Sequence, residues 1–171
     1  YPCGEPLPLA SNLNFRPGQT IGNSVLTKLA VDGTVCVYSS ADTDVVVDLN
    51  GVASSTNTSR FQPLVAGRVL DTRTGGSPVA AGSTTVLDFS EVDAGHSVVL
   101  NVAAVDPTGD GYVTVYPCGM DRPLVASVNY MSGVTHSNQA TVRLGTSGRV
   151  CLFTLQQTDV VVDVEGIVLT V

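Results

Sequence analysis

The sequence predicts an all-β protein: an antiparallel β-sandwich, jelly-roll-like, preceded by the back half of a second, homologous module. Three observations predict it. Apolar residues come in short Val-, Leu- and Thr-rich bursts, separated by turn residues about every eight to twelve positions, the spacing of a sandwich or barrel. With 17 Gly, 9 Pro and only 13% charged residues, the composition suits many turns and excludes disorder. Finally, Tyr1–Gly51 and Tyr116–Gly166 align without a gap at a constant offset of 115, with 21 of 51 pairs identical. The second copy follows a strand-rich stretch, Phe61–Val115, and the first copy follows none.

In the complete module, strands are expected at Gly67–Arg73, Thr84–Phe89, Ser97–Val105, Gly111–Pro117, Leu124–Tyr130, Gln139–Leu144, Arg149–Leu155 and Asp159–Thr170. The first copy supplies matching segments at Leu9–Phe15, Ser24–Leu29, Thr34–Ser39 and Asp44–Leu49. Turn signals divide them: Arg16-Pro17-Gly18, Asp32-Gly33, Thr74-Gly75-Gly76, Thr108-Gly109-Asp110-Gly111 and Ser147-Gly148. In Thr43–Gly51, Val45, Val47 and Leu49 face one side and Val46 and Asp48 the other. Three consecutive valines imply a strand covered on both faces for part of its length. The chain thus divides into a half module (residues 1–52), a polar linker (53–60) and a complete module (61–171). Alone, the half module buries too little to be stable, and its missing front strands leave unpaired edges.

The four cysteines stand at 3, 36, 118 and 151. Duplication favours Cys3–Cys36 and Cys118–Cys151 among the three connectivities. Disulfides imply an oxidising, extracytoplasmic compartment. No signal peptide occurs at Tyr1, which suits a mature form or a fragment. The formal charge is −7 and the eight Lys and Arg are scattered singly. Nucleic-acid binding needs a basic stripe to neutralise phosphates, and an anionic membrane would be repelled. No apolar segment approaches the ~18 residues of a transmembrane helix.

The string Phe61-Gln62-Pro63-Leu64, with Arg68-Val69-Leu70-Asp71-Thr72-Arg73, leads to a family resemblance. Together with Val99-Leu100-Asn101-Val102, Gly111-Tyr112-Val113-Thr114-Val115-Tyr116-Pro117-Cys118-Gly119 and Thr158-Asp159-Val160-Val161-Val162-Asp163, it resembles a secreted tandem-repeat β module of actinobacterial surface proteins and exported hydrolases. The resemblance covers nearly all of Phe61–Gly166 and, in its back half, Tyr1–Gly51. It implies a non-catalytic module outside the cell or on its surface, without a cofactor. Ser90–Ser97 departs from the family pattern.

Individual motifs carry competing readings. Asp71 and Arg73, two apart on one strand face, suit either a sugar site or an internal ion pair, and the flanking apolar residues favour the ion pair. Asn14 and Asn23 recur as Asn129 and Asn138, fit to satisfy backbone groups at turns or to present an amide to a glycan. The Asp106–Gly111 loop lacks the ligand set of a calcium-binding EF-hand. His96 and His136 fall in polar turns with no nucleophile pattern, so no catalytic residue and no metal site is assigned. The expected function is a structural or adhesion module of a cell surface or extracellular fibre. Its partner is a neighbouring repeat or another copy, through strand complementation of the half module, unless the chain is a fragment of a longer array that supplies the front strands upstream. The runner-up is a cell-wall glycan-binding module appended to an exported hydrolase, with Asn14, Asn23, Asn129, Asn138, Asp71 and Arg73 as glycan contacts.

Overall fold

A computed structural model describes every residue except Ser55, Asn57, Ala94, Thr146 and Val171. Asn57-Thr58-Ser59 matches the glycosylation sequon, a pattern that is a chance match in most bacterial contexts, and Asn57 lies outside the described residues. Among the described residues eight strands form: β1 (Arg60–Asp71), β2 (Thr84–Asp88), β3 (Ser97–Val105), β4 (Gly111–Pro117), β5 (Val128–Tyr130), β6 (His136–Arg143), β7 (Arg149–Thr154) and β8 (Asp159–Leu169). They make two four-stranded sheets, ordered β1-β8-β3-β6 and β2-β7-β4-β5. All pairing is antiparallel. Successive strands change sheet at every connection except β4–β5, the jelly-roll form of a sandwich.

Alternation in the sequence produces the core directly. In β3, Val98, Leu100, Val102 and Ala104 are fully buried on one face. In β8, Val160 and Val162 meet them, while Val161 is 6% exposed, so both faces are covered there. From the other sheet come Val113 of β4, Val128 of β5 and Val150 and Leu152 of β7. The buried hydroxyls have partners, as desolvation requires. Thr154 Oγ1 lies 2.8 Å from the Tyr130 hydroxyl, Thr114 donates to Val125 O and Thr158 to Val105 O. On the outer face of β7, the Arg122 guanidinium sits 3.6 Å above the Phe153 ring, a cation–π contact.

Several boundaries differ from expectation. β1 begins at Arg60, not Gly67, because Phe61, Gln62 and Pro63 pair with Val168, Ile167 and Gly166. Gly166 permits this: a Cβ there would stand 2.4 Å from the Phe61 ring. β5 is reduced to Val128–Tyr130, and Leu124 is exposed. His136 heads β6 instead of lying in a turn. The largest correction concerns the first copy. Leu9–Phe15, Ser24–Leu29, Thr34–Ser39 and Asp44–Leu49 form no strand ladder, and only an isolated bridge, Pro2 to Val35, remains.

The topology gives the reason. The six ladders are β1·β8, β2·β7, β3·β6, β3·β8, β4·β5 and β4·β7. Each joins a strand of the front half (β1–β4) to one of the rear half (β5–β8). Among the described residues no two rear strands pair with each other. The first copy repeats β5 to β8 and only the last two residues of β4, so its segments have no neighbours to pair with. Their strand propensity is intact, and their partners are not in reach.

Gly145 marks one departure between the copies. A Cβ at Gly145 would stand 2.2 Å from Cys118 O, and the first copy carries Ala30 at that position. Gly145→Ala is expected to cost at least about 1–3 kcal/mol through backbone displacement, read as a lower urea midpoint at unchanged slope. An unchanged midpoint would show that the turn gives way freely.

Candidate functional site: an unpaired rear half of the fold

The first copy keeps several local contacts that need no front half. Cys3–Cys36 and Cys118–Cys151 are both formed, each across 33 residues with Cα atoms 5.0 Å apart. Cys36 N donates to Tyr1 O at 2.8 Å, and the Tyr1 amino group donates to Cys36 O at 3.0 Å. That is the register of Tyr116 with Cys151, and the Pro2–Val35 bridge is that of Pro117 with Val150. The turn before it also recurs. Ala30 N donates to Thr34 O at 3.0 Å as Gly145 N does to Arg149 O at 3.1 Å. Gly33 and Gly148 both take left-handed φ, +82° and +70°, which glycine adopts without Cβ strain. Asn23 Nδ2 donates to Asn12 O, as Asn138 Nδ2 does to Ser127 O.

What the copy lacks is burial. Val128 and Tyr130, Val150 and Leu152, Val160 and Val162 are each at most 2% exposed in the module. Their counterparts at the 115-residue offset are Leu13 and Phe15, Val35 and Val37, Val45 and Val47. All six are apolar, and they are 37% to 74% exposed. Isolated exposed apolar residues are ordinary, but a set matching a core position by position is not. These are core side chains without a core. The first copy touches the module at Ser24, whose N–H donates to Asn138 Oδ1 at 3.0 Å. Gly18 and Thr20 line a shallow depression with Asp110, Tyr112, Asn129 and Tyr130.

The residues singled out for glycan contact are dispersed. Asn14 Oδ1 accepts from the Ser11 hydroxyl, and Asn23 is held by Asn12 O. Asn138 is used on both amide atoms: Nδ2 donates to Ser127 O, and Oδ1 accepts from Gln139 N and Ser24 N. Asn129 borders the shallow depression. Asp71 and Arg73 form the internal ion pair, at 2.7 Å, and Arg68 joins Asp71 at 2.6 Å and Asp163 at 2.5 Å. This network ties β1 to β8. Among the described residues no arginine pairs with Asp48, the repeat of Asp163. In the Asp106–Gly111 loop, Asp110 Oδ1 accepts from Ser132 N. His96 Nδ1 accepts from Thr170 N. Among the described residues, no three His, Cys, Asp or Glu side chains gather as metal ligands.

Hydrogen bonding from Arg73, with the nearby Arg68 charge, holds the Asp71 carboxyl well below the usual carboxylate range. Bonding from Ser90, with Arg149 close by, lowers Asp88. A carboxylate depressed in the folded state contributes stability above its unfolded pKa, about 3.9 for Asp, and loses it as pH falls towards the folded value. Asp71→Asn is therefore expected to reduce the loss of urea midpoint between pH 5 and about pH 2. Identical losses in both proteins would contradict it.

No known family model matches the chain, and no curated protein does. Among solved structures, the coat protein of Tobacco streak virus is similar over 67% of this chain and 90% of its own. Identity is 12% and the TM-score 0.32. A structure of the dimer of that coat protein gives 11% identity, the same coverage and a TM-score of 0.29. At these scores the likeness bears on neither function nor assembly. The two disulfides indicate an oxidising environment.

Proposed function

We propose that this protein is a secreted, non-catalytic structural or adhesion module, a repeat unit of a bacterial cell surface or extracellular fibre. Its units join neighbours by strand complementation at the half module. The observation that carries the reading is the preformed but unpaired first copy. Its disulfide and its Tyr1–Cys36 register are in place, and its core-type side chains are exposed. Such a surface binds through backbone hydrogen bonds and alternating side chains, the mode of strand addition. The resemblance to secreted actinobacterial repeats and the paired cysteines support the compartment.

The test is protease shaving of intact producing cells, with thiol labelling before lysis. The reading expects surface-released peptides from Phe61–Arg143 and four cysteines that label only after reduction. Recovery in the cytosol with free thiols would overturn it. A sedimenting assembly in the extracellular fraction would add the fibre; a soluble monomer there would limit the role to a monomeric surface module.

A further inference from the structure

We infer that the first copy is a docking site for a polypeptide segment of the β1–β4 type, of which Arg60–Pro117 is the example in this chain. This inference rests on the reading of the protein as an assembling repeat and names the partner. Three observations identify the occupant. Each rear-half strand pairs only with front-half strands, so a lone added strand would complete at most two of the six ladders and leave the rest open. The exposed set Leu13, Phe15, Val37, Val45 and Val47 reproduces the positions that pack against that front half in the complete module. The Tyr1–Cys36 and Pro2–Val35 pairs, locked by Cys3–Cys36, already hold the end of a β4-type strand against a β7-type one. An incoming β4 therefore extends a ladder that has begun, in a fixed register.

Stoichiometry excludes the simpler occupant. These 171 residues hold two rear halves and one front half, and that front half is engaged with β5–β8. If two copies exchanged front halves, one rear half per chain would still be left open. Swapping between copies of residues 1–171 thus gains no burial, and the occupant must bring a front half that is not already paired. Glycan is disfavoured because the exposed face is aliphatic, with Phe15 the one ring in the set.

The test extends the full chain with a second copy of its own residues Arg60–Val115 placed before Tyr1. The new junction then reproduces Val115–Tyr116, a connection that already folds in this protein. Hydrogen exchange at Val45–Val47 is the readout, with Val160–Val162 as the internal standard. The expected result is a slowing of at least about 100-fold at Val45–Val47 and loss of fluorescent binding of an apolar dye. A control chain carrying Leu100→Asp in the added segment only should show neither change, since Leu100 is fully buried in the module. Fast exchange at Val45–Val47 beside protected Val160–Val162 would overturn the inference. Protection that persists in the control would also overturn it, because docking would then not depend on the front-half core. Docking in the extended chain without any extracellular assembly would leave this inference standing and remove the assembly reading.

Discussion

Leu152→Ala is expected to destabilise the sandwich by about 2–5 kcal/mol, the range for truncating a buried leucine. The same truncation at the equivalent position of the first copy, Val37→Ala, is expected to change global stability by less than about 0.5 kcal/mol. Leu152 is fully buried between the sheets, and Val37 is 64% exposed. Removing methyl groups costs free energy only where neighbours held them out of water. Urea denaturation of the two variants checks the pair. Comparable losses would mean that the first copy contributes to the folded core, contrary to the topology described above.

The second large effect concerns the disulfides, which are equal in geometry and unequal in consequence. Removing Cys118–Cys151 by paired substitution to alanine is expected to cost about 3–4 kcal/mol, from the chain-entropy estimate for a loop of this length. For a module of this size that is a fall in Tm on the order of 15 °C. The bridge ties the residue after β4 to the middle of β7, and Cys151 lies within the buried ladder between them. Removing Cys3–Cys36 should leave the main thermal transition in place, because no sheet depends on it. It should instead free the Tyr1–Cys36 pair and abolish docking of an added front half. Calorimetry of both double variants distinguishes them, and equal shifts would contradict the assignment.

Much of the module was legible from alternation alone. Ser97–Val105 and Gly111–Pro117 match their strands residue for residue, since inward Val and Leu alternate with smaller or polar residues. The start of β1 was not legible. Arg60–Pro63 contains a proline and no period-two pattern, and it is a strand because β8 continues as far as Leu169 beside it. The ion pair of Asp71 and Arg73 was readable from spacing, but the part played by Arg68 and Asp163 was not. Those two residues are 95 apart in sequence and meet only through the β1·β8 register.

The first copy shows the limit most plainly. Thr43-Asp44-Val45-Val46-Val47-Asp48 and Thr158-Asp159-Val160-Val161-Val162-Asp163 are identical. One forms the centre of a sheet and the other forms no ladder. Periodicity reports which face a residue would present, and says nothing about whether a partner strand stands beside it. Only the order of strands in the two sheets reveals that the rear half has no pairing of its own. The strands expected at Leu9–Phe15, Ser24–Leu29, Thr34–Ser39 and Asp44–Leu49 do not form for that reason.

Amide hydrogen exchange across these two identical valine triplets, in the unmodified 171-residue chain, tests the central claim most directly. The account predicts that Val160–Val162 exchange only through global unfolding, while Val45–Val47 exchange near the rate of an unstructured peptide. Equal protection of the two triplets would contradict it, because a rear half would then be forming sheet without a front half.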